Sequence, residues 1–376
     1  MKRRSCLGGL WSFADCTLLL PMGDRLGLLG FSYKNIVFCA ERCYFSIIAG
    51  LFDGTLTLVS RQRTARKDEV TFAHRKEHIM QINKHGSFYI RNGWPTKIID
   101  TMDAQTQSSY IFSPSNELLA VDQIGVGRVM VKALRYWAAV LGITEETKNQ
   151  QGILHSLTDL GRLIAQYDPY CQRTGTLWLL HRNLARDLEE ATAWSWAFNL
   201  YSAKSFTKDE FVAAFYSYIQ TNGGKYAKSA MEKEFDCFKN TYVSDKAFDL
   251  DKVLDEDTVP FFAPLRLLEY AGGGRFEKRR IAPKDIPIKI FYYCILSDNA
   301  DHLRTNNQIN VDTLFEGVNQ VGKYMNLSYS SLLELLQYLE NKKWISLVNN
   351  FGNRYIDISL NCAAQLLDDY YREIEG

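Results

Sequence analysis

No two cysteines in this chain of 376 residues stand as a Cys-x-x-Cys pair. The eight present are scattered at Cys6, Cys16, Cys39, Cys43, Cys171, Cys237, Cys294 and Cys362. Cys39 and Cys43 have no histidine or second cysteine pair at zinc-ligand spacing, so the pattern excludes a zinc finger. Lone cysteines in a long chain behave as small buried hydrophobes in a reducing compartment, which points to the cytoplasm. An excess of one charge is also missing: 44 Lys and Arg face 43 Asp and Glu. Overall charge therefore gives no attraction to nucleic acid, and any such role must rest on local placement. A long apolar run is lacking too. Lys34, Glu41 and Arg42 divide the stretch Leu26–Phe52 below the ~18 residues of a membrane span. Met1-Lys2-Arg3-Arg4 and the leucines after it imitate a signal peptide, but Asp15 interrupts the run and no small-residue cleavage site follows. Neither export nor a membrane partner is expected. No Gly-Lys-Ser or Gly-Lys-Thr closes a phosphate-binding loop.

What is there is apolar and aromatic material, 46% and 13% of the chain. That suffices for a buried core, and the length allows two or three domains of roughly 100–200 residues each. Residues 1–79 differ from the rest. They hold half the cysteines, lack helical periodicity and include the basic run Arg61–Lys67. They read as a disordered or mis-annotated extension, with Met80 as the true start, or else as a basic arm on DNA phosphates.

Patterned sequence begins after Met80, and residues 80–170 read as a winged helix-turn-helix module. Pro95 suits the first turn of a helix through Ile98, Ile99 and Met102. Ser115 can cap a helix bearing Leu118, Leu119 and Val121, and Gly125-Val126-Gly127 makes a tight turn. A second helix runs from Arg128 to about Leu141. Val129, Ala133, Leu134, Trp137 and Leu141 share its apolar face, and Arg128, Lys132 and Arg135 lie opposite. Two helices, a short glycine turn and a basic outer face form the helix-turn-helix layout, and a strand over Gly152–Leu157 supplies the wing. The other reading is a helical hairpin with a solvated basic face.

Residues 171–300 read as a helical middle region. The aromatic stretch Leu177–Tyr218 builds core, Thr207 to Glu210 is a capping box, and Ser229–Tyr242 is a further helix. Asp245–Asp257 is an acidic linker. The glycines 272–274 turn into a basic cluster with Arg279 and Arg280, either a phosphate contact or a solvated hairpin. Residues 301–376 read as a second winged module. Leu314, Phe315, Val318 and Val321 mark its first helix. Leu332, Leu333, Leu336 and Leu339 mark the next, capped by Ser328 or Ser330. A hairpin runs through Trp344–Val348 and Arg354–Ile358, and a helix Ala363–Ile374 closes the chain. Glu334 and Glu340 on the outer side repel phosphate, so this module is expected to pack or to bind a partner. The fold class expected is mainly α, with two winged modules around a helical middle.

From His85 to about Ile358 the chain resembles a bacterial family of unknown function, numbered four thousand and seven, whose members accompany DNA phosphorothioation and phage-defence genes. The residues that carry the resemblance are Gly86, Ser87 and Phe88 with Arg91, Gly93 and Trp94; Gly125, Val126, Gly127 and Met130; and Arg135, Tyr136 and Trp137. Further on they are Thr158, Leu160 and Gly161; Asp168 and Pro169; Leu177 to His181; Ala193 and Trp194 with Phe198 and Asn199; Phe206 and Thr207; Asp236; Thr241 and Tyr242; and Glu256 and Asp257. The resemblance implies a DNA-binding role in sulfur modification of the DNA backbone. It extends to the nicking B subunit of the single-strand (Ssp-type) phosphorothioation system, and so implies double-stranded DNA, a sulfurtransferase and an ATPase as partners.

Strand cleavage needs an activated water and charge stabilisation at phosphorus. Familiar nuclease patterns are missing. Glu340-Asn341-Lys342 lies on a helix, and His181 has no Lys two places on. The polar residues left within the resembling motifs are His85, Arg91, His181 and Asp236 as catalytic candidates. Glu256 and Asp257 are adjacent carboxylates for Mg2+ or Mn2+, or part of a solvated linker. His181 is either catalytic or a satisfied core histidine, and Arg91 either a phosphate clamp or a structural arginine. The DNA-binding candidates are Arg128, Lys132, Arg135, Tyr136, Arg279 and Arg280. The expected function is thus a DNA-binding phosphorothioation component with metal-dependent nicking. The alternatives are a non-catalytic regulator, or an adaptor that docks the sulfur-transfer machinery on DNA.

Overall fold

The structure, a computed structural model, describes residues 15–22, 25–32, 47–52 and 55–60 as paired backbone, and residues 80–102, 104–243, 259–350 and 352–373 with their side chains. The chain divides into two compact units, Met1–Lys76 and Glu77–Gly376. In the first, β1 (Asp15–Met22) pairs antiparallel with β2 (Arg25–Ser32), and β3 (Ile47–Phe52) with β4 (Thr55–Ser60). The basic run Arg61–Lys67 lies outside the described residues.

In the second unit a similar sequence of elements occurs three times, the third time with two additional short helices. The first pass is α1 (Trp94–Asp100), β5 (Ser108–Ser109), α2 (Glu117–Ile124), α3 (Arg128–Val140), β6 (Thr144–Asn149) and β7 (Gly152–Leu157). Helices α4 (Asp159–Tyr167) and α5 (Thr174–Arg186) lead to the second: α6 (Thr192–Asn199), β8 (Ser205–Thr207), α7 (Lys208–Thr221), α8 (Lys228–Tyr242), β9 (Leu268–Gly272) and β10 (Arg275–Lys278). The third is α9 (Ile288–Asp298), α10 (Ala300–Leu303), β11 (Gln308–Asn310), α11 (Val311–Glu316), α12 (Val321–Tyr324), α13 (Tyr329–Asn341), β12 (Ile345–Asn350) and β13 (Asn353–Ile358), followed by α14 (Ala363–Arg372). Each pass ends in a hairpin, and its lone first strand pairs with the hairpin's second strand. The sheet orders are β5-β7-β6, β8-β10-β9 and β11-β13-β12, all antiparallel.

The fold class is therefore mixed rather than mainly α, and the middle region is not purely helical. The β9–β10 hairpin is one of the two readings of the glycines 272–274, but its pairing with β8 escapes the sequence because β8 has only three residues. Helix ends follow local chemistry. Thr207 Oγ1 accepts from the Glu210 amide while the Glu210 carboxylate accepts from the Thr207 amide, closing the capping box. Thr158 and Ser328 cap α4 and α13 in the same way from one side. Gly125 ends α2 in the left-handed region at φ 70°, where a side chain would strain the turn into α3. No helix among the described residues is long and apolar enough to cross a membrane.

Helix α5 is the axis of this unit. It is buried along nearly its whole length, from Gly175 to Arg182 and at Leu184 and Ala185, and its polar side chains are satisfied by partners from neighbouring elements. Its ties reach all three passes. Asn183 Nδ2 donates to the Leu141 carbonyl at the end of α3, 2.9 Å. His181 sits between Tyr242 of α8 and Tyr324 of α12. Arg182 and Arg186 both reach the Asp298 carboxylate of α9, at 2.5 and 2.6 Å, and the Tyr324 hydroxyl donates to it at 2.7 Å. At its start, the Gly175 amide donates to the Tyr370 hydroxyl of α14, so close that a Cβ at 175 would overlap the Tyr370 ring. Asp298 is wholly buried, so its neutralisation depends on these guanidiniums. Asp298→Asn is expected to destabilise the protein by about 3–5 kcal/mol, because two cations lose their only shared carboxylate. Tyr324→Phe should cost about 1 kcal/mol. Urea unfolding of the two variants checks this, and equal midpoints for Asp298→Asn and the parent chain would contradict it.

Candidate nucleic-acid interface

The two helices α2 and α3 with the intervening Gly125 turn present the basic face expected from sequence. Arg128 and Lys132 are well exposed, at 66% and 73% of their side chains. Neither is free. Arg128 holds Glu117 of α2 through Nε at 3.0 Å and also through Nη2, and the Lys132 ammonium lies 3.3 Å from the same carboxylate. The Arg128 hydrogen bond in turn keeps the Glu117 carboxyl below its ordinary range. Arg135 grips Glu146 of β6 with two parallel bonds, 2.8 and 2.5 Å, which lower the Glu146 pKa and raise that of Arg135. The three cations are thus brought to one side, each already balanced by a carboxylate from a neighbouring element.

Other binding candidates are corrected by their surroundings. Tyr136 is buried, and its hydroxyl donates to the Glu190 carbonyl at 3.0 Å, so it cannot reach a base. Arg280 donates to the Leu327 carbonyl at 2.6 Å and to Asn326, a strut between the second and third passes. Arg279 stays half exposed beside Glu269 at 3.4 Å. The glycines between β9 and β10 form a hairpin turn, φ 57–87°, with open space around them. Val129, assigned to the apolar face of its helix, is exposed, as are Leu118 and Leu119. Of the third pass, Glu334 is exposed, but Glu340 turns back to accept the Leu347 amide at 2.9 Å.

The catalytic candidates are not gathered into one place. His85 is only 1% exposed and packs against Tyr136, Trp137 and Trp194. Its Nδ1 accepts from the Ser87 amide at 3.1 Å, so Nε2 carries the proton and faces the buried Glu234 carboxylate at 3.2 Å. Glu234, which sequence reasoning passed over, is the true companion of His85. Asp236 is two residues further on α8, about 200° around the helix, and binds Lys208 at 2.7 and 2.8 Å on the accessible side. His181 is a core histidine rather than a reachable catalytic group. Its Nε2 donates to the Tyr324 carbonyl at 2.8 Å, which leaves Nδ1 to accept from the Tyr242 hydroxyl at 2.9 Å. Arg91 lies over the rings of Tyr89 and Trp94, 5.8 and 5.7 Å from their centroids. Glu256 and Asp257 lie outside the described residues. Among the described residues no group of three His, Cys, Asp or Glu is placed to hold a metal ion. His155, another residue not singled out from sequence, is buried against Phe112, 3.6 Å from Glu146.

The described residues of the second unit thus define a mixed α/β class: three helical segments, each with a three-stranded antiparallel sheet, gathered on one buried helix. The chain belongs to the family described as Protein of unknown function (DUF4007), whose model matches residues 82–371. Among solved structures it is similar to a magnesium ion-bound SspB and to an SspB crystal structure without that description. Each is 22% identical with a TM-score of 0.65, over 79% of this chain and 90% of the other. At that identity the likeness is one of fold. No curated protein gives a significant match.

Burial pushes both His155 and His181 down to about 4, from an ordinary value of 6.5. Between those values the unfolded chain binds protons that the folded one does not, so stability is full above about pH 6.5 and falls as the pH drops toward 4. Each histidine contributes up to about 1.4 kcal/mol per pH unit within that window. His155→Phe is expected to remove about half of this histidine-linked slope. Unfolding midpoints at pH 7, 6 and 5 measure it, and an undiminished slope in the variant would count against the assignment.

Proposed function

We propose that this protein is a DNA-binding component of a bacterial DNA phosphorothioation and phage-defence system, whose repeated units act as winged helix-turn-helix modules on duplex DNA. The observation that carries this reading is the recurrence, in all three passes, of helices joined by short turns that lead to a hairpin paired with a lone first strand. In such modules the second helix enters the major groove while neighbouring segments contact the backbone. The motifs shared with the phosphorothioation-associated family, and the fold likeness to SspB, supply the biological setting.

On α3, DNA phosphates compete with Glu117 and Glu146 for Arg128, Lys132 and Arg135. Exposed ion pairs contribute roughly 0–1 kcal/mol, so the exchange costs little. It lowers the net gain from each phosphate and keeps binding modest and salt-sensitive. The combined variant Arg128→Ala, Lys132→Ala, Arg135→Ala is expected to bind duplex DNA severalfold more weakly, and Glu117→Gln more tightly. Mobility-shift titrations at several salt concentrations test both. Superimposable curves for all three proteins would remove α3 from the interface.

Nicking is the finer reading. One structural neighbour is described as magnesium ion-bound, and Glu256 and Asp257 are adjacent carboxylates of the type that takes Mg2+ or Mn2+. Of the four catalytic candidates, Arg91 and Asp236 are the ones not sealed in the core. A supercoiled plasmid incubated with the protein and either metal should convert to the open circle, and Glu256→Ala with Asp257→Ala should abolish the conversion. A plasmid that is bound yet stays supercoiled favours the adaptor or regulator role instead, with the sulfurtransferase and ATPase of the system as its partners.

A further inference from the structure

Helices α3, α8 and α13 occupy the same place in the three passes, the helix just before the hairpin, so their outward faces can be compared directly. On α3 every outward cation is already bound to a carboxylate. On α13, from Tyr329 to Asn341, there is no Lys or Arg at all. Helix α8 differs from both. Lys228 and Lys233 stand exposed on it and Lys225 is exposed in the turn before it. None of the three has a hydrogen bond, ion pair or ring contact among the described residues.

We infer that the turn and the first half of α8 form the main phosphate-binding surface for duplex DNA, an assignment that rests on the DNA-binding reading above. Met231, Glu234, Phe235, Phe238 and Tyr242 turn one side of α8 into the core. The remaining arc, at 100° per residue, carries Lys228, Ser229, Glu232, Lys233 and Asp236. Asp236 is neutralised by Lys208, which leaves Glu232 as the one unbalanced carboxylate on that arc. The turn is built to hold its shape. A Cβ on Gly224 would run into the Ile219 side chain, so the chain folds tightly back on α7, and the Tyr226 hydroxyl anchors the turn to the Met80 carbonyl at 2.8 Å. The hairpin beside α8 adds no comparable cations. Arg275 is held by Glu210, Arg279 by Glu269, and the half-buried Lys278 donates to the carbonyls of Ala197 and Tyr201.

The physical distinction is what each cation must give up. A lysine without a partner releases only water as it meets a phosphate, while the DNA releases a condensed counterion. A cation on α3 must first part from its carboxylate. Removing Lys225, Lys228 and Lys233 together, each to Ala, should weaken duplex binding about tenfold or more at moderate salt. It should also reduce the slope of log affinity against log salt by about 3. The α3 triple variant should lower both by less, and Glu232→Gln should strengthen binding. Because the three lysines are exposed, unfolding midpoints of these variants should match the parent chain. If the parent chain binds DNA and the lysine variant binds with the same affinity and slope, the assignment to α8 is wrong while the DNA-binding reading stands. If the parent chain does not bind at all, both fall.

Discussion

A carboxylate removed from water must be neutralised where it lies, and the second unit is organised around one such group. Asp298 receives Arg182 and Arg186 from α5 and the hydroxyl of Tyr324 from α12. On the same helix, immediately before Arg182, His181 spans the gap between Tyr242 and Tyr324. Buried polar networks of this kind tolerate little misplacement, because any member left without a partner keeps its full desolvation penalty. Three passes of similar topology are thereby locked to one helix. The aromatic mass around it, including Trp178, Trp194, Phe238 and Tyr242, fills the space between. The same network explains why His181, prominent in the sequence, is a structural group.

The neutral composition of the chain has a local counterpart. Around α3 and the β9–β10 hairpin, carboxylates stand beside the surface cations, as Glu117 and Glu146 do on the first pass and Glu210 and Glu269 on the middle one. Such pairs add little stability when exposed to water. Their consequence is for recognition, since they set how readily each cation can be transferred to a phosphate. Differences among the three passes therefore lie less in how many cations each bears than in how many are already engaged.

Much of the architecture was legible in the residues. The helix from Arg128, the capping box at Thr207, the helix read as Ser229–Tyr242 and found as Lys228–Tyr242, and the hairpin before α14 all follow from short-range signals. Apolar spacing, capping oxygens and turn glycines act within a few residues, so they can be read without the fold. The middle sheet could not be. Its strands are three to five residues long, and its first strand pairs with one about seventy positions away. Periodicity also misassigned Val129, which shares the helical spacing of Trp137 but lies where no other element covers it.

The candidate site divides along the same line. Residue types and spacing determined that a basic helix would follow the Gly125 turn, and the motifs placed the chain in the family whose model matches residues 82–371. Only the tertiary structure decided which of those groups remain available. Burial removed His85, His181 and Tyr136 from the surface, carboxylates engaged Arg128, Lys132 and Arg135, and Lys225, Lys228 and Lys233 were left without partners among the described residues. Charge and apolarity are properties of a residue, whereas burial and pairing depend on neighbours that folding brings from 50 or 150 positions away, as with Tyr136 and Glu190 or Asn83 and Glu234.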